Sequence, residues 1–149
     1  MTIHIREARL SDCPFITELA LKLWPDNTYD DLFGSFMEEF DNEASALLIA
    51  FADDIVVGFA HGALRVDYVE GAEESPVGYI EGIFVEEEYR RHGVARALVD
   101  AIADWAKGKG CAEIASDCEL GNEESLTFHK GIGFEEVNRI ICFARRIGG

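Results

Sequence analysis

Residues 79–105 constrain the fold more than any other stretch of this chain. Tyr79-Ile80-Glu81-Gly82-Ile83-Phe84-Val85 is an apolar run that reads as a strand. Val94, Ala97, Leu98, Ala101, Ile102 and Trp105 recur at i, i+3, i+4, i+7, i+8 and i+11, the single apolar stripe of a helix. Between them lies Arg90-Arg91-His92-Gly93-Val94-Ala95, followed by Arg96. Gly108 and Gly110 end the helix, and residues 111–116 form a short apolar run beyond it. A strand, a helix and a second strand in this order give a parallel pair joined by a right-handed crossover.

The rest of the chain supplies antiparallel neighbours for that unit. Residues 3–8 alternate as a first strand. Ser11 is expected to cap a helix running to Trp24, with Phe15, Ile16, Leu19 and Leu23 at helical spacing and Pro14 in the first turn. Residues 28–40 read as a second, shorter helix with Leu32, Phe33, Phe36 and Phe40 on its inner side. Residues 45–51 and 56–66 flank an Asp53-Asp54 turn as a hairpin. An acidic, glycine-containing loop over residues 67–75 leads into the strand at 76–85. Gly82 inside that strand marks a bulge or a close backbone approach. Residues 122–130 read as a helix capped by Asn122, and residues 134–146 as a final strand or strand pair. The order β-α-α-β-β-β-α-β-α-β predicts one α/β domain over residues 1–149, with a mixed sheet and helices on both faces.

Charge narrows the functions open to such a domain. The net charge of −16 argues against nucleic-acid backbones and anionic membranes, which both require basic patches. Residues 23–89 hold 17 acids and one strong cation, Arg65, while the remaining Lys and Arg lie mainly from Arg90 onward. One part of the chain is therefore suited to a cation and another to an anion. The alternating start at residues 3–7 has no leader-like apolar run, so a cytoplasmic location is expected. Cys13, Cys111, Cys118 and Cys142 form no Cys-x-x-Cys pair, and with His4, His61, His92 and His129 scattered, no metal site is expected.

The turn carries the first chemistry. A helix start exposes backbone N–H groups where the helix dipole is positive, which makes an anion site suited to a pyrophosphate. In Arg90-x-x-Gly93-x-Ala95 the backbone of Arg90, Arg91, His92, Gly93, Val94, Ala95 and Arg96 is the candidate cradle. Arg91 and Arg96 read equally well as phosphate partners or as solvated charges.

The element order, the strand ending at Val85, this turn and Gly131-Ile132-Gly133-Phe134 together resemble the Gcn5-related N-acetyltransferase (GNAT) superfamily. Several blocks resemble its aminoglycoside 6′-N-acetyltransferases more closely. They are Trp24-Pro25, Tyr68-Val69-x-Gly71, Ser75-Pro76-Val77, Glu81-Gly82-Ile83-Phe84-Val85, Ala115-Ser116-Asp117 and Gly133-Phe134-Glu135-Glu136 with Arg139. The resemblance spans nearly the whole chain. It implies a GNAT fold with a mixed, mostly antiparallel twisted sheet and splayed central parallel strands. It also implies acetyl-CoA as cosubstrate, direct transfer of the acetyl group to the 6′ amine of an aminoglycoside, and a homodimer.

Site roles follow from the same resemblance. It implies that Ile83, Phe84 and Val85 pair with the pantetheine arm and that the Arg90–Arg96 turn takes the pyrophosphate. Asn122 is implied as a further cofactor contact, compatible with its reading as a helix cap. Glu81 and Asp117 are implied to contact the substrate amine, and Trp24 and Tyr68 to wall the sugar rings. An alkylamine with a pKa near 10.4 is neutral in only about one molecule in 10³ at pH 7, so a carboxylate that accepts its proton is useful there.

Three departures stand out. Where many members carry a proton-donating tyrosine, this chain has Phe128-His129, and His129 reads either as that donor or as a packed ring. Asn138 stands where some relatives carry an acid, and Asn27 where others have a histidine after Trp-Pro. Two competing expectations are an acetyltransferase of polyamines or protein amines, and a non-catalytic acyl-CoA sensor. Glu81 and Asp117 weigh against the sensor.

Overall fold

The computed structural model describes residues 1–66, 69, 72, 75–118 and 120–148. The chain divides into two compact units, Met1–Asp117 and Cys118–Gly149. The first unit holds the five-stranded sheet. Its strands β1 (Ile3–Glu7), β2 (Ser45–Ala52), β3 (Ile55–Arg65), β4 (Val77–Val85) and β5 (Ile114–Ala115) lie side by side in chain order. The first three pairings are antiparallel and β4 with β5 is parallel.

Two helices cover one face. Helix α1 (Cys13–Leu23) and helix α2 (Tyr29–Glu39) bury Ile16, Leu19, Ala20, Leu32 and Phe36 against Leu47, Ile49 and Phe59 of the sheet. Thr28 caps α2, its hydroxyl accepting the Asp31 N–H at 3.2 Å. The expected start of α1 at Ser11 is corrected. Leu10–Asp12 form a 3-10 turn, and the helix begins at Cys13. The reason lies at Asp12, whose carboxylate accepts the Arg9 N–H at 2.7 Å and pairs with Arg6 at 2.6 Å, tying the turn to β1. The Asp12 carboxyl is accordingly held below its usual range, chiefly by Arg6. Phe15 is half exposed and faces away from the core.

Helix α3 (Val94–Gly108) covers the opposite face and buries Val94, Leu98, Val99, Ile102 and Ala106. Close approach of helix to sheet depends on two glycines. A Cβ on Gly62 would meet Ile102 at 2.8 Å, and one on Gly78 would meet Ala106 at 2.6 Å.

The parallel pair is short. Gly78 aligns with Ile114 and Tyr79 with Ala115, after which β4 faces no strand on its β5 side among the described residues. The run expected over 111–116 is therefore a two-residue, half-buried strand. The Gly82 signal is realised as a bulge. His61 aligns with Gly82 and Gly62 with Ile80, leaving Glu81 as the extra residue of β4.

The second unit contains α4 (Glu123–Gly131) and a segment after it. The strand expected at 134–146 is corrected: residues 134–148 carry no regular element. Ile140, Ile141, Phe143 and Ile147 are 68–93% exposed. Their spacing suits a strand, but a strand forms only against a partner, and none pairs with this segment among the described residues.

Candidate active site

The β4 bulge shapes the site. Glu81 and Gly82 fall in succession against the α1 side of the sheet, so that face of the strand presents a carboxylate beside a bare backbone. A Cβ at position 82 would run into the Trp24 ring. Trp24 ends α1, its N–H donating to the Ala20 carbonyl at 2.8 Å, and its ring stands edge-on to Phe59. The Asn27 side-chain amide donates back to the Trp24 carbonyl at 3.3 Å. Trp24, Asn27 and Glu81 line one open cavity of about 600 Å³, together with Leu32, Glu39, Asn42, His61, Ala63 and Leu64.

Two carboxylates in this cavity have cationic or basic neighbours. Glu81 receives the Arg65 guanidinium, with Nη2 at 2.9 Å from Oε1 and 3.0 Å from Oε2. The Arg65 Cζ lies 3.5 Å from the centre of the Tyr79 ring, and the Tyr79 hydroxyl donates to Asp117. Burial first, and then donation to Asp117, push the Tyr79 hydroxyl well above its ordinary range. Asp117, just past β5, is thus joined to Glu81 through Tyr79 and Arg65. Glu39 approaches His61 Nε2 at 3.6 Å, and the Ser45 hydroxyl lies 2.9 Å from the same nitrogen. Burial lowers the His61 pKa below its usual value, against the pull of Glu39 and Glu81.

The anion turn sits at the far end of β4. A 3-10 turn over Glu87–Tyr89 precedes it. Arg91 has φ +66° and Gly93 φ +83°, so the chain reverses sharply into α3. No side chain caps the helix, and its first N–H groups have no intrahelical partner. Arg91, His92 and Arg96 are exposed, Ala95 is half-buried, and the Val94 side chain is buried, leaving only its backbone to face a ligand. Arg90 does something the motif did not foretell: its Nε donates to the Val85 carbonyl at 2.9 Å, clamping the turn to the strand end. Ile83 and Phe84 are half-buried and Val85 is buried, all three on the stretch of β4 beyond its pairing with β5.

The remaining expected residues lie elsewhere in the chain. Tyr68 lies outside the described residues. In the second unit, Asn122 caps α4 by accepting the Ser125 N–H at 3.1 Å. His129 packs edge-on between Phe128 and Phe134, with Nδ1 2.7 Å from the Ser125 carbonyl, so that nitrogen is the donor. Asn138 accepts the Arg139 N–H, and Arg139 pairs with Glu136.

Sequence reasoning missed Glu39, His61 and Tyr79 as site residues and noticed Arg65 only as an isolated charge. One signal was available. Tyr79 and Glu81 are two apart on a strand and so share a face, but their meeting with Arg65 depends on the β3–β4 register.

The parallel pair ends after two residues, next to a helix entered through Gly93 in the left-handed region with no side-chain cap, and solved acetyltransferases share this fold. The sequence pattern of the acetyltransferase (GNAT) family matches residues 6–134, and the chain belongs to that family. It is 40% identical to the aminoglycoside N(6′)-acetyltransferase type 1 of Salmonella typhimurium over 86% of this chain and 88% of the relative. The enzyme of that name from Acinetobacter baumannii is 39% identical over 97% of both chains. Among solved structures, AAC(6′)-Iy in complex with the bisubstrate analogue CoA-S-monomethyl-acetylneamine superposes with a TM-score of 0.94 at 36% identity, over 99% of this chain and 100% of that one.

Proposed function

We propose that this protein is an aminoglycoside 6′-N-acetyltransferase that confers resistance by acetylating the 6′ amine of the antibiotic. The observation that carries the reading is the bulged Glu81 in an acidic, aromatic-walled cavity, on the strand that leads to the anion turn. The relatives that bear this name span nearly the full chain.

The residues present fit acetyl-CoA. The cradle at Gly93 is open, since a Cβ there would meet nothing within 4 Å, and its N–H groups suit a pyrophosphate. Arg91, His92 and Arg96 flank it. The edge of β4 at Ile83, Phe84 and Val85, which no described strand pairs on the β5 side, suits an extended pantetheine arm. The cosubstrate supplies an activated acetyl thioester.

The acceptor side follows from the carboxylates. Glu81 orients the amine and takes its proton, directly or through water, and Asp117 makes a second contact. Trp24 and Tyr68 cover the sugar rings, and Asn27 and Asn138 offer neutral hydrogen bonds. Backbone N–H groups of the bulged strand polarise the carbonyl under attack. Asn122 as a cofactor contact and His129 as a proton donor belong to the same proposal. So do a homodimeric assembly, a cytoplasmic location and a single functional domain formed by both units. No helix among the described residues is long and apolar enough to cross a membrane.

Thiol release from acetyl-CoA tests the reading, with kanamycin-type antibiotics, polyamines and peptides offered in turn. Release with the antibiotics is expected; release only with polyamines or peptides would overturn it. Glu81→Gln should lower kcat by about 10²-fold or more while CoA binding changes little. Unaltered turnover would reduce Glu81 to a structural role.

A further inference from the structure

Arg65 is the only Lys or Arg in residues 23–89, where 17 acids lie. Its side chain is 43% exposed but does not stand free among those acids. It closes β3, its backbone aligned with Val77, and its guanidinium straddles Glu81. Three hydrogen bonds hold it there: Nε to Oε1 at 3.1 Å, Nη2 to Oε1 at 2.9 Å and Nη2 to Oε2 at 3.0 Å. The same group stacks on Tyr79, whose hydroxyl is engaged by Asp117. One internal cation therefore occupies Glu81, where an acceptor ammonium would sit, and reaches Asp117 only through Tyr79.

This contact has two physical consequences. A carboxylate already paired with a guanidinium attracts a second cation less strongly, because the pair is close to neutral. The pair is also easily exchanged, since the side chains are 43% and 29% exposed and water screens them. Any ammonium that takes Glu81 must first displace Arg65, a cost common to ligands with one charge and with several. A ligand with two can meet Glu81 and Glu39, which line the same cavity.

We propose that Arg65 is a built-in stand-in for the acceptor's ammonium, displaced from Glu81 when acceptor binds, and that it thereby lowers the affinity for every acceptor that uses Glu81. The inference rests on Glu81 being the acceptor carboxylate of the proposed acetyltransferase. Arg65 is not a catalytic residue in this account; it competes for the site until substrate arrives. The opposite role, an anchor that holds Glu81 in its working pose, predicts the reverse kinetics.

Arg65→Met keeps an unbranched aliphatic side chain and removes the charged group that lies over Tyr79, and Arg65→Lys keeps the charge but loses the bidentate grip. Initial rates with kanamycin and with the monoamine glucosamine, and calorimetric titration of both ligands, read the effect with and without turnover. Arg65→Met is expected to lower the kanamycin KM and Kd about two- to fivefold, and those of glucosamine by a similar factor. The acetyl-CoA KM should move less than that. Arg65→Lys should fall between Met and wild type. Weaker kanamycin binding, or a fall in kcat at constant Kd, would overturn the proposal in favour of an anchor. Should Arg65→Met fail to fold, as read by thermal melting, unaltered affinities in Arg65→Lys would overturn it equally. A wild-type enzyme that acetylates kanamycin while neither variant binds it more tightly refutes only the stand-in. A wild-type protein that neither binds nor acetylates kanamycin removes the acetyltransferase reading, and the stand-in with it.

Discussion

At His61 three groups converge on one largely buried ring: Ser45 from β2, Glu39 from α2 and, across the bulge, Glu81 from β4. Burial wins, so the folded ring holds a proton less tightly than the unfolded one. As pH falls through about 6.5, the unfolded chain takes up a proton that the folded chain resists, and stability drops. Asp12 has a depressed carboxyl, so its contribution is present above its ordinary value near 3.8 and is lost as pH falls further. Acid should therefore destabilise the protein in two separate windows. Urea midpoints measured from pH 8 to 5 should fall in the wild type and fall less in His61→Gln. Equal slopes would mean that His61 titrates alike in both states. Neither the burial of His61 nor its neighbours were visible in the sequence, where it was one of four scattered histidines. Glu81 and Trp24 were visible because their chemistry is carried by residue type within a short recognisable block.

At the scale of elements, α3 and the turn before it separate stability from binding. Leu98 is fully buried, and Leu98→Ala should cost about 2–5 kcal/mol through the cavity it leaves. Gly93 holds φ +83° with open space where a Cβ would go, so Gly93→Ala is strained by the backbone alone and should cost about 1–2 kcal/mol. The two variants should differ in CoA binding by calorimetry. Gly93→Ala weakens it because the cradle itself shifts, whereas Leu98→Ala leaves it close to wild type. Equal affinities in both would remove the turn from the cofactor site. Helix α3 was readable because a stripe at 3.6-residue spacing is a local property. The bulge was only half readable. Gly82 announced an irregularity, but the identity of the extra residue depends on the register of β3 against β4.

For the whole molecule, the acidic excess and the bare C-terminal segment bear on what it meets. Most charge in residues 23–89 is negative, so kanamycin affinity should weaken as ionic strength rises. Salt-independent affinity would deny the acids a part in attraction. The segment with Ile140, Ile141, Phe143 and Ile147 exposed needs a partner surface to bury it, which supports the proposed homodimer. Light scattering should report a dimer for the wild type and a smaller species for Phe143→Asp, with α-helical circular dichroism retained. A wild-type monomer would refute that assembly.

The chain's own pattern was enough to establish the strand–turn–helix unit, the antiparallel strands before it and the resemblance to an acetyltransferase family. These are local: they depend on spacing along a few turns or strands and on which residue types a turn tolerates. The tertiary structure alone decided that Glu81 is the bulged residue, that Arg65 closes over it and that Tyr79 ties Asp117 into the same cluster. It also decided that residues 134–148 form no strand with the described residues of this chain. Such contacts join residues 16 to 38 positions apart, and they follow from register, burial and the presence of a partner, none of which a single segment carries within itself.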